Sequence, residues 1–139
     1  MQSCIGLGTI LVVEDEQLML RLLEKFLSQQ GYQVLVASDG EEAVEVYRLH
    51  KLEIDVVLLD VGLPKLTGWD VLLKMKEENP DVRVVIATGY LAPKLKTEML
   101  RVAVKHFVDK PYVLNELVET LQSLIDAPVA PSGSNTPVT

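Results

Sequence analysis

The chain has 139 residues, 48% of them hydrophobic and 24% charged, with a formal net charge of −7. That length supports one well-buried core, the composition is not that of a disordered chain, and no apolar run approaches the ~20 residues of a membrane span. The negative balance argues against direct nucleic-acid binding, which relies on Lys and Arg to neutralise phosphates.

Lys94, Lys96, Arg101 and Lys105 form the one local enrichment of positive charge, and their spacing reads as a solvated helix face. The first residues carry no basic segment followed by an apolar core, and the single cysteine, Cys4, has no partner for an internal disulfide. A cytoplasmic protein is expected.

Along the chain, apolar β-branched runs alternate with helix-period segments. Ile10 to Val13 reads as a buried strand ending at Glu14-Asp15. Leu18, Leu22, Leu23, Phe26 and Leu27 then recur at helical spacing until Gly31. Val34 to Val36 is a second strand, and Asp39 caps a helix carrying Ala43, Val44, Val46 and Tyr47. Ile54 to Leu59, apolar at nearly every position, suits a strand covered on both faces. A third helix over Gly68 to Glu78 closes at Asn79-Pro80, and Val82 to Ala87 is a fourth strand. A helix around Lys94 to Val102 precedes a short fifth strand, His106 to Val108. Leu114, Leu117, Val118, Leu121, Leu124 and Ile125 mark a final amphipathic helix.

Five strand–helix units in series imply an α/β fold, a parallel sheet with helices on both sides. The expected division is a flexible lead-in over residues 1–8, a folded domain over 9–125 and a Pro/Ser/Thr-rich tail or linker over 126–139.

In such sheets, ligands sit beyond the carboxyl ends of the strands. Strand one ends in Glu14-Asp15, strand three in Asp60 and strand four in Thr88, while strand five stops just before Lys110. A lone carboxylate at a strand end is usually a helix cap; chemistry at all four ends is a different matter. Carboxylates a few ångströms apart repel by on the order of 1–4 kcal/mol per pair at an effective dielectric near 20. A cation or a proton must resolve such a cluster. Hard oxygen ligands select Mg²⁺, and an Asp can act as a nucleophile to form an acyl phosphate. Phosphoryl transfer then requires positioning and charge neutralisation, which Lys110, Thr88 and backbone N–H groups would supply.

Four stretches, Ile10 to Glu16, Asp60 to Gly68, Ala87 to Tyr90 and Phe107 to Tyr112, occur in an order and spacing that resemble the receiver domains of bacterial two-component response regulators, which also occur in hybrid histidine kinases. The resemblance covers roughly residues 9–125 and implies a flavodoxin-like (βα)5 sandwich with strand order 2-1-3-4-5. It implies phosphorylation of Asp60, Mg²⁺ bound by Asp15, Asp60 and the backbone carbonyl of Gly62, and Glu14 acting through a metal-bound water. It further implies that Lys110 pairs with Asp60 and then with its phosphate, that Thr88 and Phe107 form the switch, and that Gly62 and Tyr90 tune hydrolysis. The Lys110–Pro111 bond is expected to be cis. The implied partner is a histidine kinase or histidine phosphotransfer protein, with an output partner read at the surface of the fourth helix, fifth strand and final helix. The resemblance implies no enzyme beyond promotion of the chain's own phosphorylation and dephosphorylation, and leaves open a homodimer through the last two helices.

The sequence departs from the usual pattern at Leu63 and Leu66, in place of methionines, and at Ala103, where a glycine often ends the fourth helix. Two other classes fit the sequence less well. An aspartyl phosphatase carries a second Asp two residues after its nucleophile, where Gly62 stands here, and a flavin-binding phosphate loop is incompatible with Glu14-Asp15-Glu16. The resemblance fits a stand-alone regulator and equally a piece of a DNA-binding regulator or of a hybrid kinase.

Overall fold

The apolar runs form strands because β-branched residues suit an extended chain buried on both faces. The computed structural model describes residues 7–61, 68–88, 97, 101 and 106–126. Five strands, β1 (Thr9–Val13), β2 (Gln33–Ala37), β3 (Val56–Asp60), β4 (Val84–Thr88) and β5 (His106–Asp109), make one sheet of order β2-β1-β3-β4-β5. Every pairing is parallel, and β1 and β3 are buried at all positions.

Four helices can be described: α1 (Gln17–Gln29), α2 (Gly40–His50), α3 (Gly68–Glu78) and α4 (Leu114–Asp126). One face of the sheet packs Leu11, Val57 and Ile86 against Ala43 and Tyr47 of α2 and Val71, Leu72 and Met75 of α3. The other packs Ile10, Val12, Leu58 and Val85 against Leu20, Leu23 and Leu27 of α1 and Leu117 and Leu121 of α4. The expected three-layer arrangement is present.

Asp39 caps α2 by accepting from the Glu42 N–H at 2.8 Å, and Gly31 takes a φ of +108° where α1 must turn into β2. The helical spacing in α1 misplaced two residues. Leu18 is 80% exposed and Leu22 48%, while Leu20, Leu23 and Leu27 make the buried face. Four of the five residues from Leu18 to Leu22 are apolar, so periodicity there does not single out one face.

The strand edges also moved by a residue or two. β3 begins at Val56 and ends on Asp60 itself, and β4 includes Thr88. Leu7 and Gly8, within the expected lead-in, already bond to Gly31 and Gln33 through the backbone, and α4 includes Asp126. Most of the helix expected around residues 94–102, the Ala103 position and nearly all of the tail lie outside the described residues; Thr97 and Arg101 are helical.

Candidate functional site

The parallel register delivers the four predicted strand ends to one rim. β1 is flanked by β2 and β3, so the chain leaving Val13 emerges beside the end of β3. Glu14 donates its N–H to the Ala37 carbonyl at 3.1 Å, prolonging contact with β2 by one residue. This turns the Glu14 side chain inward, 1% exposed, while Asp15 faces solvent. Asp60 ends β3 and is 7% exposed. Its strand is held by pairing with Ala87 of β4, and the next residue, Val61, donates to the Ala87 carbonyl at 3.2 Å.

Carboxylate oxygens of Glu14, Asp15 and Asp60 all lie within 4.8 Å of one another. Lys110 reaches in from the end of β5. Its N–H bonds to the Thr88 carbonyl at 3.0 Å, which fixes the residue against β4. Its Nζ donates to Glu14 Oε1 at 3.2 Å and to Asp60 Oδ2 at 3.3 Å.

The electrostatics follow from burial. Desolvation raises the Glu14 pKa, the Asp60 charge raises it further, and the Glu16 N–H and Lys110 oppose both without cancelling them. For Lys110, burial works against the ammonium, but the Asp60 and Glu14 charges outweigh it and raise the pKa. Within this cluster of described residues Glu14 and Asp60 therefore share one ammonium, Asp15 stands beside them, and the set carries net negative charge. Hard oxygens at this separation suit a small divalent cation that keeps several waters.

Thr88 stands at the end of β4, beside this rim. Phe107 is in register with Ile86 and packs half-buried against the α2–α3 side of the core, three residues before Lys110. The Lys110–Pro111 bond is cis, as expected. Gly62 and Tyr90 lie outside the described residues.

One neighbour was named in the sequence only as part of a motif. Burial raises the Tyr112 pKa strongly, and the Glu14 and Asp60 charges add to it, so this ring forms part of the low-dielectric surroundings of the cluster. An aromatic two residues past the lysine was the available signal. A cleft of about 330 Å³ at the opposite end of the sheet, lined by Tyr47, Asn79 and Arg83 among others, holds no comparable convergence of carboxylates among the described residues.

The family model for the response regulator receiver domain matches residues 10–122, and the chain belongs to that family, one of signalling phosphoacceptors. It is 34% identical over 117 residues to the probable transcriptional regulatory protein TcrX of Mycobacterium tuberculosis, covering 84% of this chain and 49% of that protein. It is 30% identical to the autoinducer 1 sensor kinase/phosphatase LuxN of Vibrio campbellii, covering 89% of this chain and 14% of that one. The chain thus spans about half the length of TcrX and a small part of LuxN. Among solved structures, the CheX-CheY-BeF3-Mg+2 complex of Borrelia burgdorferi superposes with a TM-score of 0.80 at 27% identity, covering 86% of this chain and 90% of that one. No helix among the described residues is long and apolar enough to cross a membrane.

Proposed function

We propose that the folded unit, residues 9–125, accepts a phosphoryl group on Asp60 from the phosphohistidine of a histidine kinase or phosphotransfer protein. The observation that carries this reading is the buried Asp60 carboxylate, 3.3 Å from the Lys110 ammonium, in a cluster whose remaining charge is negative. An Asp60 oxygen forms a bond to phosphorus as the phosphorus–nitrogen bond to the donor histidine breaks, and the electron pair of that bond leaves with the imidazole.

Asp15 and Asp60 would hold Mg²⁺ directly and Glu14 through a bound water, with Gly62 as the expected carbonyl ligand. The ion would supply neutralisation of the phosphoryl oxygens. The CheX-CheY complex of Borrelia burgdorferi contains BeF3 and Mg+2, which supports the same chemistry here. Lys110 orients the acceptor carboxylate before transfer and pairs with the phosphate afterwards. Thr88, on the same rim, turns its hydroxyl to a phosphoryl oxygen, and Phe107 follows inward. The surface of β5, α4 and the helix expected around residues 94–102 is the one re-read by an output partner. Tyr90 tunes hydrolysis. No other substrate turns over, and the protein works in the cytoplasm.

Incubation with Mg²⁺ and a small acyl-phosphate donor, followed by intact mass, tests the reading. The native chain gains one phosphoryl adduct and Asp60→Asn gains none; an undiminished adduct in the variant would refute the assignment.

A further inference from the structure

β3 ends on Asp60 and α3 begins at Gly68, whose N–H donates to the Val61 carbonyl at 3.1 Å. The first residue of α3 thus rests on the backbone that immediately follows the acceptor aspartate. A Cβ on Gly68 would lie 2.8 Å from Val61 Cα, 3.1 Å from the Asp60 carbonyl oxygen and 3.2 Å from the Val61 carbonyl oxygen. All three are main-chain atoms, so no side chain can rotate away to make room.

Neither side of this contact yields easily. On the strand side, Asp60 is in register with Ala87, and Val61 donates its N–H to the Ala87 carbonyl. On the helix side, Val71, Leu72 and Met75 are at most 1% exposed in the α2–α3 core, and close-packed interiors transmit displacement rather than absorb it. Strain introduced at residue 68 therefore falls on the Asp60–Val61 peptide. That peptide is one bond from the Cα that carries the acceptor carboxylate.

We propose that Gly68 is a positioning residue of the acidic site: its missing side chain lets the first turn of α3 close on the Asp60–Val61 peptide, and this contact sets where the Asp60 carboxylate stands relative to Glu14, Asp15 and Lys110. The consequence for metal binding rests on the phosphoacceptor reading above. Mg²⁺ tolerates little departure from ligand distances of about 2.0–2.1 Å and octahedral angles, so a few tenths of an ångström at Asp60 matter.

The experiment compares the native chain with Gly68→Ala and, as a matched core lesion elsewhere, with Ile10→Val, whose side chain is fully buried in β1. Mg²⁺ affinity is read by calorimetry, and the Asp60 side-chain carboxyl carbon resonance is read by NMR in metal-free protein. Gly68→Ala weakens Mg²⁺ binding by about 10- to 100-fold, as losses of ligand-orienting contacts do, and moves the Asp60 resonance. Ile10→Val lowers the melting temperature and changes neither readout. A Gly68→Ala protein with native Mg²⁺ affinity and an unmoved Asp60 resonance would overturn the proposal and leave the glycine a purely structural requirement. Should the variant be unfolded in buffer, both proteins are measured in a stabilising osmolyte, which favours the compact state by exclusion from the surface. If the native chain itself fails to bind Mg²⁺, the reading of the site falls, and the metal-free resonance still decides the role of Gly68.

Discussion

The two ends of the sheet treat polar groups in opposite ways. At the amino end, Asp55 accepts from the Thr9 N–H at 2.8 Å, Asn79 donates to the Tyr47 hydroxyl at 3.0 Å, and Lys51 meets Glu78 at 3.1 Å. Arg83 donates to the Leu124 carbonyl at the last turn of α4. Each of these groups ties one element to another with complementary partners close at hand. At the carboxyl end, two buried carboxylates meet a single ammonium, with the exposed carboxylate of Asp15 beside them. Only the amino end reads as architecture. A fold that buries like charges side by side incurs a desolvation cost that packing does not return, and the carboxyl end is where an external cation and a phosphoryl group would offset it.

The contrast is broken most severely by removing its one cation. Lys110→Met leaves Glu14 and Asp60 facing each other, and denaturant unfolding of metal-free protein should show a loss of about 2–3 kcal/mol, below the range for fully buried pairs because Lys110 keeps partial exposure. The Lys110 pKa is raised in the folded state, so this contribution is complete below the unfolded value of 10.5 and is lost as pH rises through the folded one. The gap between native and variant should therefore close only in strong alkali.

At the other end, Asn79→Ala removes a bond to Tyr47 and should cost about 1 kcal/mol, with no change in Mg²⁺ affinity. A change in affinity there would mean that the two ends are coupled.

A smaller effect has the opposite sign. The Glu14 pKa is raised by burial and by Asp60, so its ionised form disfavours the folded state at every pH above the ordinary value of 4.5. Glu14→Gln should raise the metal-free melting temperature near pH 7, on the order of a few °C, and the advantage should vanish below pH 4.5. An advantage independent of pH would place its origin in packing rather than in charge.

Much of the molecule was legible because its signals are redundant. The run from Val56 to Leu59 is apolar at every position, and only a strand covered on both faces needs that. The α3 boundaries coincide with a Gly and an Asn-Pro that leave little choice. Redundancy failed in α1, where apolar residues crowd one stretch and the buried stripe depends on which face the sheet presents. The cluster residues were legible as strand ends, but which of Glu14 and Asp15 is buried was not. Glu14 and Asp15 are neighbours of the same chemistry, and only the Glu14–Ala37 backbone bond turns one inward and leaves the other in water. That bond comes from β2, a segment the local pattern around Glu14 does not contain. The close approach of Gly68 to Val61 was hidden for the same reason, since a glycine at a helix start is ordinary until its neighbours are placed.

The central claim, that the carboxyl end is a cation site held in readiness for phosphate, is tested most directly by the melting temperature of the native chain with and without saturating Mg²⁺, beside Asp60→Asn. At a hundredfold excess over its dissociation constant the ion should stabilise the native fold by about 2.7 kcal/mol, and Asp60→Asn should lose most of that gain. Identical melting curves for the native chain with and without Mg²⁺ would contradict it.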